Sequence, residues 1–268
     1  MSRRRKKGTA SSAMPYAIIT FVLTLFVLFA YQYVKAMQSV VETDKSTNCR
    51  SDGFFPRDSV LLLDATEGLS EAQLLHVTNE LDRVVRDSII YERFTVYFLR
   101  DDPERFQPRL VVCNPGDGQN LDPNKHNLKR LLKTWQNSFR EPLIQSLQEL
   151  ADVTPATSSP IMEMLKFVSL RTFSRSTAID KRLILVSDMV EHTNSYSQYR
   201  NKDLDFEKLS KAAYFREVRP RLDGVMIDVM YIERPALEKL QTIDHITRFW
   251  GPFVREFGGQ INTINRVN

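Results

Sequence analysis

Apolar and polar positions divide this chain into two unlike parts. Residues 8–34 contain no Asp, Glu, Lys or Arg, and Tyr16 to Val34 reads YAIITFVLTLFVLFAYQYV. As a helix this run is about 28 Å long at about 1.5 Å per residue, close to the ~30 Å of a bilayer's hydrocarbon core. Eleven of its residues are Ile, Leu, Val or Phe, and Tyr16, Tyr31 and Tyr33 stand near its ends, where amphipathic rings favour the membrane interface. A transmembrane helix over 16–35 is therefore predicted, with bilayer contact through 16–34. The run is longer than the apolar segment of a signal peptide, so it reads as a retained anchor even though Val34-Lys35-Ala36 resembles a cleavage site.

Beyond a polar linker over 36–57, the apolar runs become short and alternate with amphipathic stretches. Ser59–Asp64, Arg182–Ser187 and Gly224–Tyr231 read as strands buried on both faces. Phe94–Leu99 and Arg109–Cys113 are two further strands. The connection between them is too short for a helical crossover, so they pair antiparallel. Ser70-Glu-Ala-Gln73 is a capping-box pattern that opens a helix to about Ile90. Helical patterns cover 126–140 and 141–151, with Pro142 marking a break or restart. Another starts at Pro160 behind a Ser159 cap and runs to about Phe173; two more cover 206–218 and 236–257. A last strand falls near Gln260–Ile264. Alternation of this kind predicts a doubly wound, mostly parallel α/β sheet over 58–268, with one antiparallel edge strand.

Charge sharpens this layout. The chain of 268 residues has 37 Lys and Arg against 33 Asp and Glu, a net +4. Arg3, Arg4, Arg5, Lys6 and Lys7 supply five of the positive charges, leaving 37 − 5 = 32 against 33. The rest of the chain has no basic field, so a nucleic-acid partner is not expected. Such a cluster before a membrane span stays cytoplasmic. Residues 1–15 are then a basic cytoplasmic tail on a single-pass protein of the cytoplasmic (inner) membrane, and the C-terminal domain is periplasmic or extracellular. In an oxidising compartment the two cysteines, Cys49 and Cys113, are expected to form a disulfide.

In open α/β sheets ligands gather at the carboxyl ends of the strands. Asp64-Ala-Thr66-Glu67-Gly68, Thr157-Ser-Ser159-Pro160 and Ser187-Asp188-Met189 all point to that edge. Two carboxylates with two or three hydroxyls suit Mg²⁺ or another divalent cation, a hard ion with oxygen ligands; the same groups also serve simply as helix caps. Arg234, after the third buried strand, reaches the same edge. Phe249, Trp250 and Phe253 recur at helical spacing and read as core. Lys125, Lys129, Arg130 and Lys133 read as a solvated face. The four histidines lack zinc-ligand spacing, and no nucleophile elbow, phosphate-binding loop or dinucleotide fingerprint is present.

At these residues the chain resembles the von Willebrand factor A-type domain family, over roughly 57–264. That family carries an Asp-x-Ser-x-Ser motif after its first strand, a Thr before a later helix and an Asp after its fourth strand. Together they form a metal-ion-dependent adhesion site. Asp64 and Thr66 match the first two motif positions, Ser159 the Thr and Asp188 the last Asp. Gly68 stands where the third motif hydroxyl belongs. The resemblance implies a non-enzymatic module that binds a protein partner through a degenerate site. An acidic residue of the partner would complete the metal, and Glu67, Ser158 and Arg234 flank the contact. Two alternatives remain open: a membrane-anchored, metal-dependent phosphoester hydrolase, and a structural subunit of an envelope complex with a vestigial site.

Overall fold

The computed structural model describes residues 13–38, 41–100, 106–151, 153–200 and 204–268; of these, the side chains of 13–17 and 34–38 are not described. The chain divides into two units, residues 1–42 and 43–268. Among its described residues the first contains one long helix, α1 (Ala13–Gln38). Among the described residues no helix is long and apolar enough to cross a membrane. Side chains at both ends of the predicted span, 16–17 and 34–35, lie outside the described residues, as does the basic cluster at 3–7.

The second unit is built on a six-stranded sheet in the order β3-β2-β1-β4-β5-β6. Its strands are β1 (Arg57–Asp64), β2 (Arg93–Leu99), β3 (Leu110–Cys113), β4 (Asp180–Ser187), β5 (Val225–Ile232) and β6 (Gln260–Val267). β1 pairs in parallel with β2 and β4, and β4–β5 and β5–β6 are also parallel. Only β3 runs antiparallel, beside β2 at the edge. This is the mostly parallel α/β sheet with one antiparallel edge strand that the alternation of elements predicted. The unbroken apolar run of β1 has the expected cause, since the strand lies between two neighbours with helices on both faces. Leu61 and Leu63 pack with α2 (Glu71–Arg86), α3 (Leu128–Trp135) and α4 (Glu141–Gln148). Val60 and Leu62 pack on the other face, with α5 (Ile161–Arg171), α6 (Phe206–Lys211), α7 (Ala213–Glu217) and α8 (Gly251–Glu256).

At Pro142 the helix restarts, one of the two outcomes the sequence allowed. A π-helical turn, Gln136–Arg140, joins α3 to α4, and Pro142 sits at the start of α4. The same device recurs at His245–Trp250, immediately before α8 and its Pro252. Proline has no N–H for the ladder and its ring crowds the carbonyl four residues back. A wider π turn upstream relieves both problems without ending the helix. The single helix expected over 236–257 is shorter: Pro235–Leu237 is one 3₁₀ turn and 238–242 are turns and bends. The 206–218 stretch breaks at the extended Ala212 (ψ 149°). α2 stops at Arg86 rather than Ile90. Phe249, Trp250 and Phe253 are fully buried, as expected of a core stripe.

Cys49 and Cys113 form a disulfide across 64 residues of sequence, with Cα atoms 4.8 Å apart. The Cys113 N–H also donates to the Thr47 carbonyl at 2.8 Å, which fixes the segment before β1 onto the β3 edge. Closing a loop of this size restricts the unfolded chain by about 4 kcal/mol in the entropic account. Reduction, or Cys49→Ser with Cys113→Ser, should therefore lower the domain's stability by about 2–4 kcal/mol, read as a lower urea midpoint in a chemical melt. An unchanged midpoint would remove the bridge from the stability account.

Candidate functional site

The expected residues do collect at the carboxyl ends of β1, β4 and β5. Asp64 ends β1 and is only 8% exposed. One of its oxygens accepts from the Thr66 N–H (3.1 Å) and the Thr66 hydroxyl (2.6 Å). The other accepts from the Ser187 hydroxyl at the end of β4, at 2.7 Å. The adjacent central strands are thus joined through side chains just where their backbone ladder stops. Burial raises the Asp64 carboxyl above its ordinary pKa, against the pull of Ser187, Thr66 and Arg234.

Asp188 follows Ser187 and is equally buried at 8% exposure. Its carboxylate accepts from the Val190 N–H at 2.8 Å, and the intervening Met189 has φ 61°, a left-handed conformation rare for a side chain of this size. The strained turn is held from several sides. The Met189 N–H donates to Ser187 Oγ at 2.9 Å, the Trp250 indole donates to the Met189 carbonyl at 2.8 Å, and the Gln241 amide donates to the Asp188 carbonyl at 3.1 Å. Such over-determined strain is typical of functional loops. Burial is the first cause of the Asp188 carboxyl's rise to about 7; the neighbouring Asp64 adds to it, and the Val190 N–H and Arg234 oppose it.

Ser159 does not cap α5, contrary to the sequence expectation. Pro160 holds the N-cap position with no side-chain cap. The Ser159 backbone instead exchanges two hydrogen bonds with His192, at 2.7 and 3.0 Å. Ala156, three residues earlier, donates to the Thr66 carbonyl at 2.8 Å. The 156–159 segment is therefore tied to both the Asp64 and the Asp188 loops. The Ser159 hydroxyl is buried without a hydrogen-bond partner, while Ser158 beside it is half-buried.

Arg234, two residues beyond β5, reaches this rim. Its Nε lies 3.3 Å from Glu67 Oε2 and 4.0 Å from Asp188 Oδ2, and its Nη1 donates to the Gly68 carbonyl at 2.8 Å. Glu67 is half-exposed and Arg234 largely covered. Ser70 forms the reciprocal capping box with Gln73 and is committed to α2. Sequence reasoning missed Gln241, which binds the carbonyls of Asp188 and Ile232 and accepts from the Arg234 N–H at 2.8 Å. Nothing in its surroundings signalled this, because the segment reads as an ordinary helix.

These residues fit a hard divalent cation in chemistry. Asp64 and Asp188 supply carboxylate oxygens, Thr66 a hydroxyl with free lone pairs, and Ser159 a buried hydroxyl otherwise unpartnered. Asp64, Glu67 and Asp188 against Arg234 leave the ionised cluster two negative charges in excess, which also favours a cation. Gly68 supplies no side-chain ligand. A Cβ there would meet the carbonyls of Leu150 and Ala151 at 3.7 Å, an ordinary contact, and its φ is not left-handed. A larger residue is thus not sterically excluded.

A second buried network lies under the same loop. Glu191, fully buried, accepts from the Met162 N–H in the first turn of α5 (2.9 Å) and from the Tyr214 hydroxyl (2.8 Å). The Tyr214 hydroxyl also lies 3.2 Å from Glu163. Burial drives the Glu191 carboxyl up to about 8, the backbone N–H of Met162 and the Tyr214 hydroxyl pull it down, and the Glu163 charge pushes it up. His245 is buried among Tyr231, Gln198 and Trp250, and burial lowers its pKa to about 4. The remaining histidine of this region, His192, meets Ser197 Oγ at 2.8 Å.

No protein-family model matches the sequence, and no curated protein does. Among solved structures the chain is similar to three N-terminal domains of the type V pili tip protein Mfa5 from Porphyromonas gingivalis. That likeness has 17% identity over 51% of this chain and 20% of that one, with a TM-score of 0.33. It is similar also to a von Willebrand factor type A protein from Catenulispora acidiphila (12% identity; 78% of this chain, 39% of that one; TM-score 0.42). A third likeness is to the conserved hypothetical protein BatB from Bacteroides thetaiotaomicron (13% identity; 80% and 91%; TM-score 0.40). This chain therefore spans a fifth and about two fifths of the first two. The fold description rests on the strand order and the reversed edge strand, not on these likenesses.

The Glu191 network predicts a pH dependence. A carboxyl whose folded pKa lies above its unfolded value binds its proton more tightly in the folded state. The stability it contributes is present at acid pH and lost as pH rises from about 4.5 to about 8. Glu191→Gln keeps the shape and cannot ionise. The variant should gain on the wild type by about 4 kcal/mol between pH 5 and pH 8.5, at about 1.4 kcal/mol per unit, read from paired urea melts. A gap that does not widen with pH would refute this assignment.

Proposed function

We propose that this chain is a membrane-anchored, non-enzymatic interaction module. Helix α1 holds it in the cytoplasmic membrane with the basic tail inside, and the α/β domain lies on the periplasmic or extracellular side. The rim formed by Asp64, Thr66, Ser159 and Asp188 binds a protein partner, with Glu67, Ser158 and Arg234 flanking the contact. The observation that carries this reading is the pair of buried carboxylates, Asp64 and Asp188, held side by side at the carboxyl ends of two adjacent central strands.

The anchor draws support from α1 itself. Over residues 18–33 every side chain is exposed within the first unit and none is charged. An uncharged, largely apolar surface of that kind is favoured in lipid over water. The disulfide supports the oxidising side of a membrane for the domain.

In this reading Asp64, Thr66, Ser159 and Asp188 hold a Mg²⁺ or similar ion, which when bound supplies an open coordination position to an acidic residue of the partner. The protein's own work is positional. Ser187 orients one face of Asp64 and Thr66 the other, while the Val190 N–H fixes the Asp188 carboxylate. The His192 bridge ties the Ser159 backbone to the segment that follows Asp188.

A hydrolase fits less well. The Thr66 and Ser187 hydroxyls both donate to Asp64, but both are buried and so closed to a substrate. Ser197, the hydroxyl paired with His192, is fully buried and shielded from any substrate. A structural subunit with a vestigial site is favoured by a specific feature, the missing hydroxyl at Gly68, and is the second reading.

Two measurements test the proposal. A C-terminal tag should be accessible from outside the cytoplasmic membrane, and the chain should stay in the pellet after alkaline carbonate extraction; a protected tag or a released chain contradicts the anchor reading. Asp64→Asn with Asp188→Ala should reduce partner recovery after cross-linking in native membranes at least tenfold, and chelator should weaken it. Undiminished recovery with a folded variant favours the vestigial-site reading.

A further inference from the structure

We propose that Arg234 is an internal cation that competes with the divalent ion for the Asp64–Asp188 site, so that the ion enters only when this guanidinium withdraws. The inference rests on the cation reading above and adds a residue that holds the site closed.

Three contacts carry it. Arg234 Nε stands 4.0 Å from Asp188 Oδ2 and 3.3 Å from Glu67 Oε2, so the positive charge is already where the carboxylates need one. Its Nη1 donates to the carbonyl of Gly68, the residue at the missing third motif hydroxyl. The guanidinium is thus fastened to the segment that lacks a ligand. Its Nε is buried with no hydrogen-bond partner, which shows that the fork is held here by charge and not by full hydrogen-bond satisfaction. A group held in that way is displaceable by a stronger cation. Repulsion between like charges at such range makes joint occupancy by Arg234 and a divalent ion unfavourable.

The guanidinium also has somewhere to go. Beside it lies a groove of about 730 Å³ lined by Glu233, Glu238, Gln241 and Arg266 among others. Arg266 already pairs with Glu233 in that groove. Glu238 offers a second carboxylate to a withdrawn Arg234. The backbone of Arg234 need not move, since its N–H stays bonded to Gln241. Withdrawal is a side-chain rotation, and it releases Glu67 toward solvent and the partner.

The test uses the full chain in detergent micelles, with Mn²⁺ as the probe in a calorimetric titration. Arg234→Gln should bind Mn²⁺ about tenfold or more tightly than the wild type, the scale of losing one unit charge a few ångströms from the ion. Arg266→Gln removes the same charge from the same groove and should bind like the wild type. Adding Asp188→Asn to Arg234→Gln should abolish the gain, which places the ion at this site. Arg234→Lys keeps the charge but loses the fork and serves if Arg234→Gln does not fold; it should fall between the two. Equal affinity in Arg234→Gln and wild type overturns the competition while leaving the ion reading intact. If neither binds Mn²⁺ at millimolar concentration, both fall. An equal gain in Arg266→Gln reduces the effect to general surface charge and also overturns it.

Discussion

The hydrogen bond from Ser187 to Asp64 is the point where fold and site become one structure. β1 and β4 are adjacent parallel strands buried on both faces, so their register is fixed by packing long before any ligand is considered. Register delivers Ser187 opposite the Asp64 carboxylate at 2.7 Å, and Thr66 closes the other side. A carboxylate at that depth is tolerated only because its oxygens are satisfied. Removing the Ser187 donor would leave a buried acceptor unpaired and loosen the geometry that faces the rim. Asp188, one residue on, inherits its position from the same strand. The left-handed turn at Met189 then brings its carboxylate back over the sheet edge.

Electrostatics decide what such a rim attracts. Three carboxylates, Asp64, Glu67 and Asp188, share one guanidinium, and burial raises the pKa of both aspartates. The cluster is poised for a cation and partly supplied with one. Proton, guanidinium and divalent ion are alternative answers to the same buried charge. Glu191, underneath, solves its own burial separately, through the first turn of α5 and Tyr214. Buried polar groups lie at both ends of the strands, with Asp58, Ser59 and Glu92 fully buried at the far end. That end of the sheet is held by ordinary ion pairs such as Arg93 with Asp58 and Arg182 with Asp228.

Much of this was legible in the sequence where a single physical cause dominates. Continuous apolar runs mark β1, β4 and β5 because both faces are covered, and Ser70 with Gln73 marks the start of α2 because capping is local chemistry. The β2–β3 reversal followed from the length of a connection. What was not legible depended on competing causes. Pro142 reads as a break or a restart by its missing N–H, and the π turn upstream that makes it a restart leaves no local sequence signal; the same turn recurs before Pro252. Ser159-Pro160 reads as a helix cap, yet the serine backbone prefers pairing with His192, more than thirty residues away. Gln241 is a polar residue in a helical pattern that tertiary structure turned inward to satisfy three backbone groups. Arg234 was placed at the right edge, but its tie to Gly68 could be read only from coordinates.

The central claim is that the Asp64–Asp188 end of the sheet, and no other surface, meets the partner. Photo-cross-linking in native membranes tests it most directly, with a photoreactive residue placed at Glu67 on that rim or at Ile179, 88% exposed just before β4 on the opposite end. The account predicts a discrete protein adduct from position 67 and none from position 179. An adduct from 179 with nothing captured at 67 would contradict it.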